Sequence, residues 1–212
     1  MDLIATLTDF VLHIDKHLEL FVSLHGPWVY ALLFVVVFVE TGIVVMPFLP
    51  GDSLLFIVGA LSGSGSMHIG VAISVLAAAA ILGDQTNFSI GRRIGPKVFQ
   101  WETSRLFNRQ TFDRAQAFYE NHGAITIILA RFMPFIRTFA PFVAGVAMMR
   151  RSVFTLFNVI GALVWVLALC AAGYFFGNLP FVRDHLETII WALILVPGLI
   201  ALVGSRRAPK ST

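Results

Sequence analysis

At the start of the chain Leu3, Ile4, Leu7, Phe10, Val11, Ile14, Leu18 and Phe21 recur every three or four positions, while Asp2, Asp9, Asp15, Lys16 and Glu19 fall elsewhere on the helical wheel. This pattern predicts an amphipathic helix over residues 1–26, lying in a membrane interface. His13 and His17 stand four apart on it, but neither an HExxH pattern nor a third ligand accompanies them, so no metal site is predicted. From Trp28 the alternation stops. Uncharged apolar runs occupy residues 28–39, 69–83, 152–181 and 188–204. The longer ones can cross about 30 Å of hydrocarbon as helices.

Two apolar stretches are broken by proline and carry charge. The first, ETGIVVMPFLPGDSLLFIVGA, holds Glu40 and Asp52, with helix breaks at Pro47, Pro50 and Gly51. Proline removes a backbone donor and disfavours helix in the residue before it, so the span entered at Trp28 should run to about Met46. Residues 51–61 then cover about 16 Å at helical rise, roughly half a bilayer. The second stretch, AITIILARFMPFIRTFAPFVAGVAMM, holds Arg131 and Arg137, with breaks at Pro134 and Pro141. Both are expected to form re-entrant hairpins, near residues 41–62 and 124–149.

The broken stretches also align with each other. Phe56, Gly59 and Ala60 fall opposite Phe142, Gly145 and Val146 at an offset of 86, and Asn87, Phe88 and Gly91 fall opposite Gly173, Tyr174 and Gly177 at the same offset. Each unit is then a half-membrane hairpin followed by one full crossing. An odd number of crossings inverts the second unit, and interrupted segments in corresponding halves are the best sequence pointer to a transporter's midplane site.

Composition agrees with this reading: 58% of the 212 residues are hydrophobic and 13% charged, far from soluble averages. The fold class expected is all-α, a polytopic membrane protein with two inverted re-entrant hairpins, transmembrane helices and amphipathic interfacial helices. Its plan is an amphipathic helix (1–26), a first repeat (28–95), a cytoplasmic amphipathic segment (96–123), a second, inverted repeat (124–181), a last crossing (186–204) and a basic tail (205–212). The start MDLIATLTDF lacks a basic n-region, so no cleaved leader is expected. Arg92, Arg93, Lys97, Arg105, Arg109 and Arg114 share the central loop, Arg150 and Arg151 another, and Arg206, Arg207 and Lys210 the tail. By the positive-inside rule these clusters, and with them both termini, are expected in the cytoplasm. They flank spans rather than an aromatic-interleaved soluble domain, which argues against nucleic acid as a partner. Cys170 is a lone cysteine in an apolar span and reads as a packing residue.

The stretches FVETGIVVMPFLPGDSLLF, GDQTNFSIGRRIG and ARFMPFIRTFAPFVAGVA, followed by NVIGALVWV and AGYFFG, resemble the successive signatures of the DedA family of membrane proteins. That family shares the broader SNARE-associated or VTT domain with eukaryotic lipid scramblases. The opening MDLIATLTDFVLHIDKHL resembles bacterial members, so the likeness covers nearly the whole chain. The resemblance implies a multi-pass protein of the bacterial inner membrane, linked to the proton motive force and to envelope homeostasis. Several members are implicated in returning undecaprenyl phosphate from the outer to the inner leaflet, and others are tied to phospholipids. The family's acidic pair maps onto Glu40 and Asp52, its arginine pair onto Arg131 and Arg137.

Side-chain chemistry points the same way. A guanidinium stays charged and offers a fork of donors that matches phosphate oxygens, which makes Arg131 and Arg137 the phosphate-binding candidates. A carboxylate at membrane depth is pulled one way by desolvation and the other by a nearby arginine, which makes Glu40 and Asp52 the proton-coupling candidates. Asp84 is a secondary candidate, expected to pair locally with Arg92 or Arg93. Trp165 and Tyr174 read first as packing aromatics and second as the wall of a groove for an isoprenoid chain.

The function expected is a lipid flippase driven by protons or another coupling cation, with a lipid phosphate and the bilayer as partners, room for a homo-oligomer, and no cofactor. Alternatives are a phospholipid scramblase or other proton-coupled transporter, a membrane enzyme acting on lipid phosphates, and a scaffolding protein in which the charges only neutralise each other. The chain carries no GxSxG, HExxH or kinase signature, so it is not expected to be an enzyme.

Overall fold

A computed structural model describes residues 26–43, 51–98 and 123–180, together with Leu24 and Val182. The expected amphipathic helix before residue 24, Pro47 and Pro50, the central segment 99–122, the last crossing and the basic tail lie outside the described residues. Every regular element among the described residues is helical: α1 Trp28–Gly42, α2 Gly51–Gly63, α3 Ile69–Val98, α4 Ile125–Ala130, α5 Pro134–Val146 and α6 Arg151–Phe176.

Length separates these helices into two kinds. Within α3 the stretch Ile69–Gly95, of 27 residues, is long and apolar enough to cross a membrane, and so is α6 with 26. By contrast, α1 has 15 residues, α2 and α5 have 13 each and α4 has 6, so none of these reaches across about 30 Å of hydrocarbon at helical rise. The first span was expected to continue to about Met46, yet α1 closes at Gly42 and Ile43 is no longer helical. Glycine is the weakest helix former after proline, which explains the earlier stop. Leu156, Ile160, Leu163, Val164 and Leu167 stand exposed on α6, an apolar outer face where a soluble protein's helix would be polar.

The chain divides into two compact units, Met1–Val35, Pro50–Leu76 and Val166–Thr212 in one, Val36–Leu49 and Ala77–Trp165 in the other. In the first unit α2 buries Leu54 to Gly59 without a break. Its contact with the end of α6 is made through glycine: Gly59 lies against the Cys170 carbonyl and the Tyr174 amide, Gly173 against the Phe56 carbonyl and the Ala60 amide, and Gly177 against Ala60. Asn178 Nδ2 donates to the Ala60 carbonyl at 2.9 Å. Backbones this close leave no room for a Cβ, and small residues are how membrane helices approach each other.

The second unit repeats the contact with different helices. Here α5 lies on α3, with Gly145 against the Phe88 carbonyl and the Arg92 amide, Gly91 against the Phe142 carbonyl and Gly95 against the Val146 carbonyl. Phe88 stacks on Phe154 with ring centroids 4.1 Å apart, and Ile127 and Ala144 complete this core. Near the end of α1, Gly42 meets Gly83 of α3.

Matching contacts relate α2 to α5 by 86 residues, since Gly59 and Gly145, and Phe56 and Phe142, play the same parts. For the long helices they equate Gly91 with Gly173 and Gly95 with Gly177, an offset of 82 rather than the 86 expected. The difference of four is about one helical turn, so either alignment keeps the same residues on one face. Sequence alone could not choose between them, because each helix repeats its glycines every four positions.

A Cβ at Gly173 would overlap the Phe56 carbonyl, whereas one at Gly70 in α3 would meet nothing within 4 Å. Gly173→Ala should therefore cost about 1–3 kcal/mol, the usual penalty of overpacking, and lower the melting temperature of the detergent-solubilised protein. Gly70→Ala should leave the melting temperature unchanged or raise it slightly.

Candidate functional site

The charged residues of the second unit converge because each stands at a break or on a small-residue face. Glu40 occupies the last turn of α1, where Thr41 Oγ1 donates back to the Val37 carbonyl at 2.8 Å. Asp84 and Asn87 are one turn apart on α3, near the middle of its membrane-length stretch. Arg131 closes α4, its amide donating to the Ile128 carbonyl and the Phe132 amide to the Leu129 carbonyl. Met133 is extended, Pro134 opens α5 where its missing N–H costs nothing, and Arg137 follows on the first turns. Asn158, Gly161 and Trp165 lie on one face of α6, at spacings of three and four.

Two buried ion pairs result. Arg137 Nη2 donates to Glu40 Oε1, and Arg131 Nη2 donates to both Asp84 Oδ2 and Asn158 Oδ1. Relative exposures are 0% for Glu40, 4% for Asp84, 5% for Arg131 and 8% for Arg137, so all four charges are removed from water. Asn158 Nδ2 is held by the Ile81 carbonyl at 3.1 Å, which aims its oxygen at Arg131. Gly161 makes room for the arginine stem, since a Cβ there would stand 3.1 Å from Arg131 Cδ.

Trp165 serves both arginines. Its ring centroid lies 5.2 Å from Arg137 Cζ and 6.0 Å from Arg131 Cζ, within cation–π range of each. Asn87 Nδ2 donates to the Thr41 carbonyl at 3.1 Å and the Thr138 carbonyl at 2.8 Å, tying the end of α1 to α5. Thr41, Asp84, Arg131, Arg137, Thr138 and Trp165 line a cavity of about 10 Å³, room for a single water. Arg131 Nε, also buried, has no hydrogen-bond partner among the described residues.

Of the residues singled out in the sequence, Glu40, Arg131 and Arg137 thus share one unit and one set of contacts. Asp52 belongs to the other unit, half-buried on the first turn of α2, whose first residue Gly51 is buried. Pro141 sits inside α5. Asp84 does not pair with Arg92 or Arg93: its carboxylate is on Arg131, while Arg92 Nη1 donates to the Met149 carbonyl at 3.0 Å. Helical neighbours favoured the local pair, but Arg92 stands eight positions after Asp84, more than two turns away. Asn158, Asn87, Thr41 and Thr138 were not anticipated. A signal existed for Asn158, a polar side chain in the apolar run of α6, whereas Asn87 sits in the polar run from Asp84 to Asn87.

Residues 49–175 match the VTT domain, which spans Asp84, both arginines, Asn158 and Trp165. The chain belongs to the DedA family. It is 50% identical to Protein DedA of Escherichia coli strain K12 over 98% of this chain and 97% of that protein. It is 46% identical to an uncharacterized membrane protein of Mycobacterium leprae, over 84% of this chain and 79% of that one, and 33% identical to the inner membrane protein YghB of E. coli K12, over 96% and 90%. No solved structure matches the chain. As a DedA-family membrane protein with membrane-length helices, it keeps its ion pairs in a setting where water cannot solvate them.

Breaking one member of a buried pair leaves an uncompensated charge, typically at a cost of 3–5 kcal/mol. Asp84→Asn and Arg131→Gln should each lower the stability of the solubilised protein by about that amount, and the double variant by less than their sum. Denaturant titration of the three variants measures this coupling, and additivity would mean the pair is not energetically joined.

Proposed function

We propose that this protein is a lipid transporter of the bacterial inner membrane that returns undecaprenyl phosphate from the outer to the inner leaflet, driven by the proton motive force. The observation that carries this reading is the pair of buried arginines, Arg131 and Arg137, on the α4–α5 break above the Trp165 ring, each held by a carboxylate. Two guanidiniums close together in a dry setting are a costly arrangement unless an anion joins them, and a phosphate monoester offers the oxygens to engage both forks. The Nε of Arg131 is a donor that neither Asp84 nor Asn158 uses.

Transport also needs helices that stop within the membrane. The short helices α2 and α5 support the reading of two re-entrant hairpins, inverted with respect to each other. Glu40 and Asp52 act as proton-coupling groups, and the basic clusters support a cytoplasmic location for both termini. The naming of YghB as an inner membrane protein supports that compartment for this chain. The phosphate crosses on the arginines while the isoprenoid tail stays in lipid. A phospholipid headgroup carries the same phosphate chemistry and is the competing substrate.

Leaflet-resolved transport of undecaprenyl phosphate in proteoliposomes under an imposed proton gradient tests the assignment. Arg131→Ala and Arg137→Ala should abolish transport, and Glu40→Gln should change its pH dependence. Normal transport by folded arginine variants would overturn it.

A further inference from the structure

The cavity between the arginines holds about one water, so a phosphate cannot be added to the site as it stands. It must take the place of what the guanidiniums already bind. Those groups include Asp84 on Arg131 and Glu40 on Arg137, carboxylates standing where phosphate oxygens would bind. The charged groups facing the cavity with Asp84 are Arg131 and Arg137, the rest of its lining being Thr41, Thr138 and Trp165.

Charge counting then restricts how exchange proceeds. Two guanidiniums and two carboxylates sum to zero, and a phosphate monoester brings a charge of about −1.5 to −2 near pH 7. If phosphate bound while both carboxylates stayed ionised and buried, the site would carry about two uncompensated negative charges, each costing several kcal/mol. Neutral carboxylic acids avoid that cost, and burial without a cation favours the protonated form of an acid.

We propose that Asp84 joins Glu40 as a proton-accepting residue of the site, and that each phosphate dianion bound is exchanged for two carboxylate charges by the uptake of two protons. The proposal rests on the lipid-phosphate reading above and goes beyond it in naming Asp84, beside Glu40, as an acid that the phosphate displaces from the arginines, and in giving the stoichiometry. The balance closes in both directions. Two protons and one dianion enter a neutral site and leave it neutral, and release of the phosphate returns both carboxylates to their arginines and both protons to solvent. Asn158 keeps Arg131 in place meanwhile, since it donates to Ile81 and accepts from the guanidinium independently of Asp84.

Calorimetric titration of the full-length protein in detergent with farnesyl monophosphate, near pH 7 in buffers of different ionisation enthalpy, counts the protons taken up. The expected value is close to two per bound ligand, with affinity for the dianion strengthening about a hundredfold per unit fall in pH, as linkage of two protons requires. Asp84→Asn and Glu40→Gln should each lower the count to about one. Binding accompanied by one proton or none in the wild type, or an undiminished count in folded Asp84→Asn, overturns the proposal; the wild-type count decides even if the variant does not fold. A parallel titration with inorganic phosphate separates a free anion from a lipid headgroup. Failure of the wild type to bind either probe would instead remove the lipid-phosphate reading, and this inference with it.

Discussion

Everything distinctive in this structure follows from the cost of keeping charge out of water. An ionised side chain at the centre of a bilayer costs about 2.5–3.5 kcal/mol by insertion, and among the described residues the second unit buries four. The pairs Glu40–Arg137 and Asp84–Arg131 hold the sum at zero, and Asn158, Trp165 and Gly161 fit around the arginines. Such pairs are weak contributors to stability compared with apolar packing of the same volume. Both arginines of these pairs stand beside a helix break rather than within a continuous span.

The framework around the charges is built by backbone contact. Glycines at Gly59 and Gly173 in one unit, and at Gly145 and Gly91 in the other, bring a 13-residue helix against a long one with carbonyls filling the place of side chains. Close packing of this sort is stiff, because neither partner has a side chain that can give. Arg131 and Arg137 reach their partners from the α4–α5 break on long side-chain stems instead.

Much of this was legible in the sequence, and the exceptions have physical causes. The long apolar runs announced α3 and α6, and Pro134 marked the start of α5, whereas Pro141, expected as a break, lies inside that helix. Arg131 and Arg137 were visible because arginine is so costly in an apolar segment. Asp84 was visible but assigned to the wrong cation, since spacing along a helix is readable whereas the approach of another helix is not. Asn158 stayed hidden as a site residue because its partner Arg131 comes from another helix, and Trp165 was read first as a packing aromatic. The one-turn shift between Gly91 and Gly177 was undecidable without contacts.

The central claim is that a lipid phosphate reaches the two arginines above Trp165. A variant carrying Trp28→Phe, Trp101→Phe and Trp191→Phe leaves Trp165 as the sole indole, with both guanidiniums as its cation–π partners. Its emission measured during titration with undecaprenyl phosphate and with the dephosphorylated alcohol addresses the claim directly. The account predicts a saturable change with the phosphate and none with the alcohol. Equal responses to both, or no response from a variant that still transports the lipid, would contradict it.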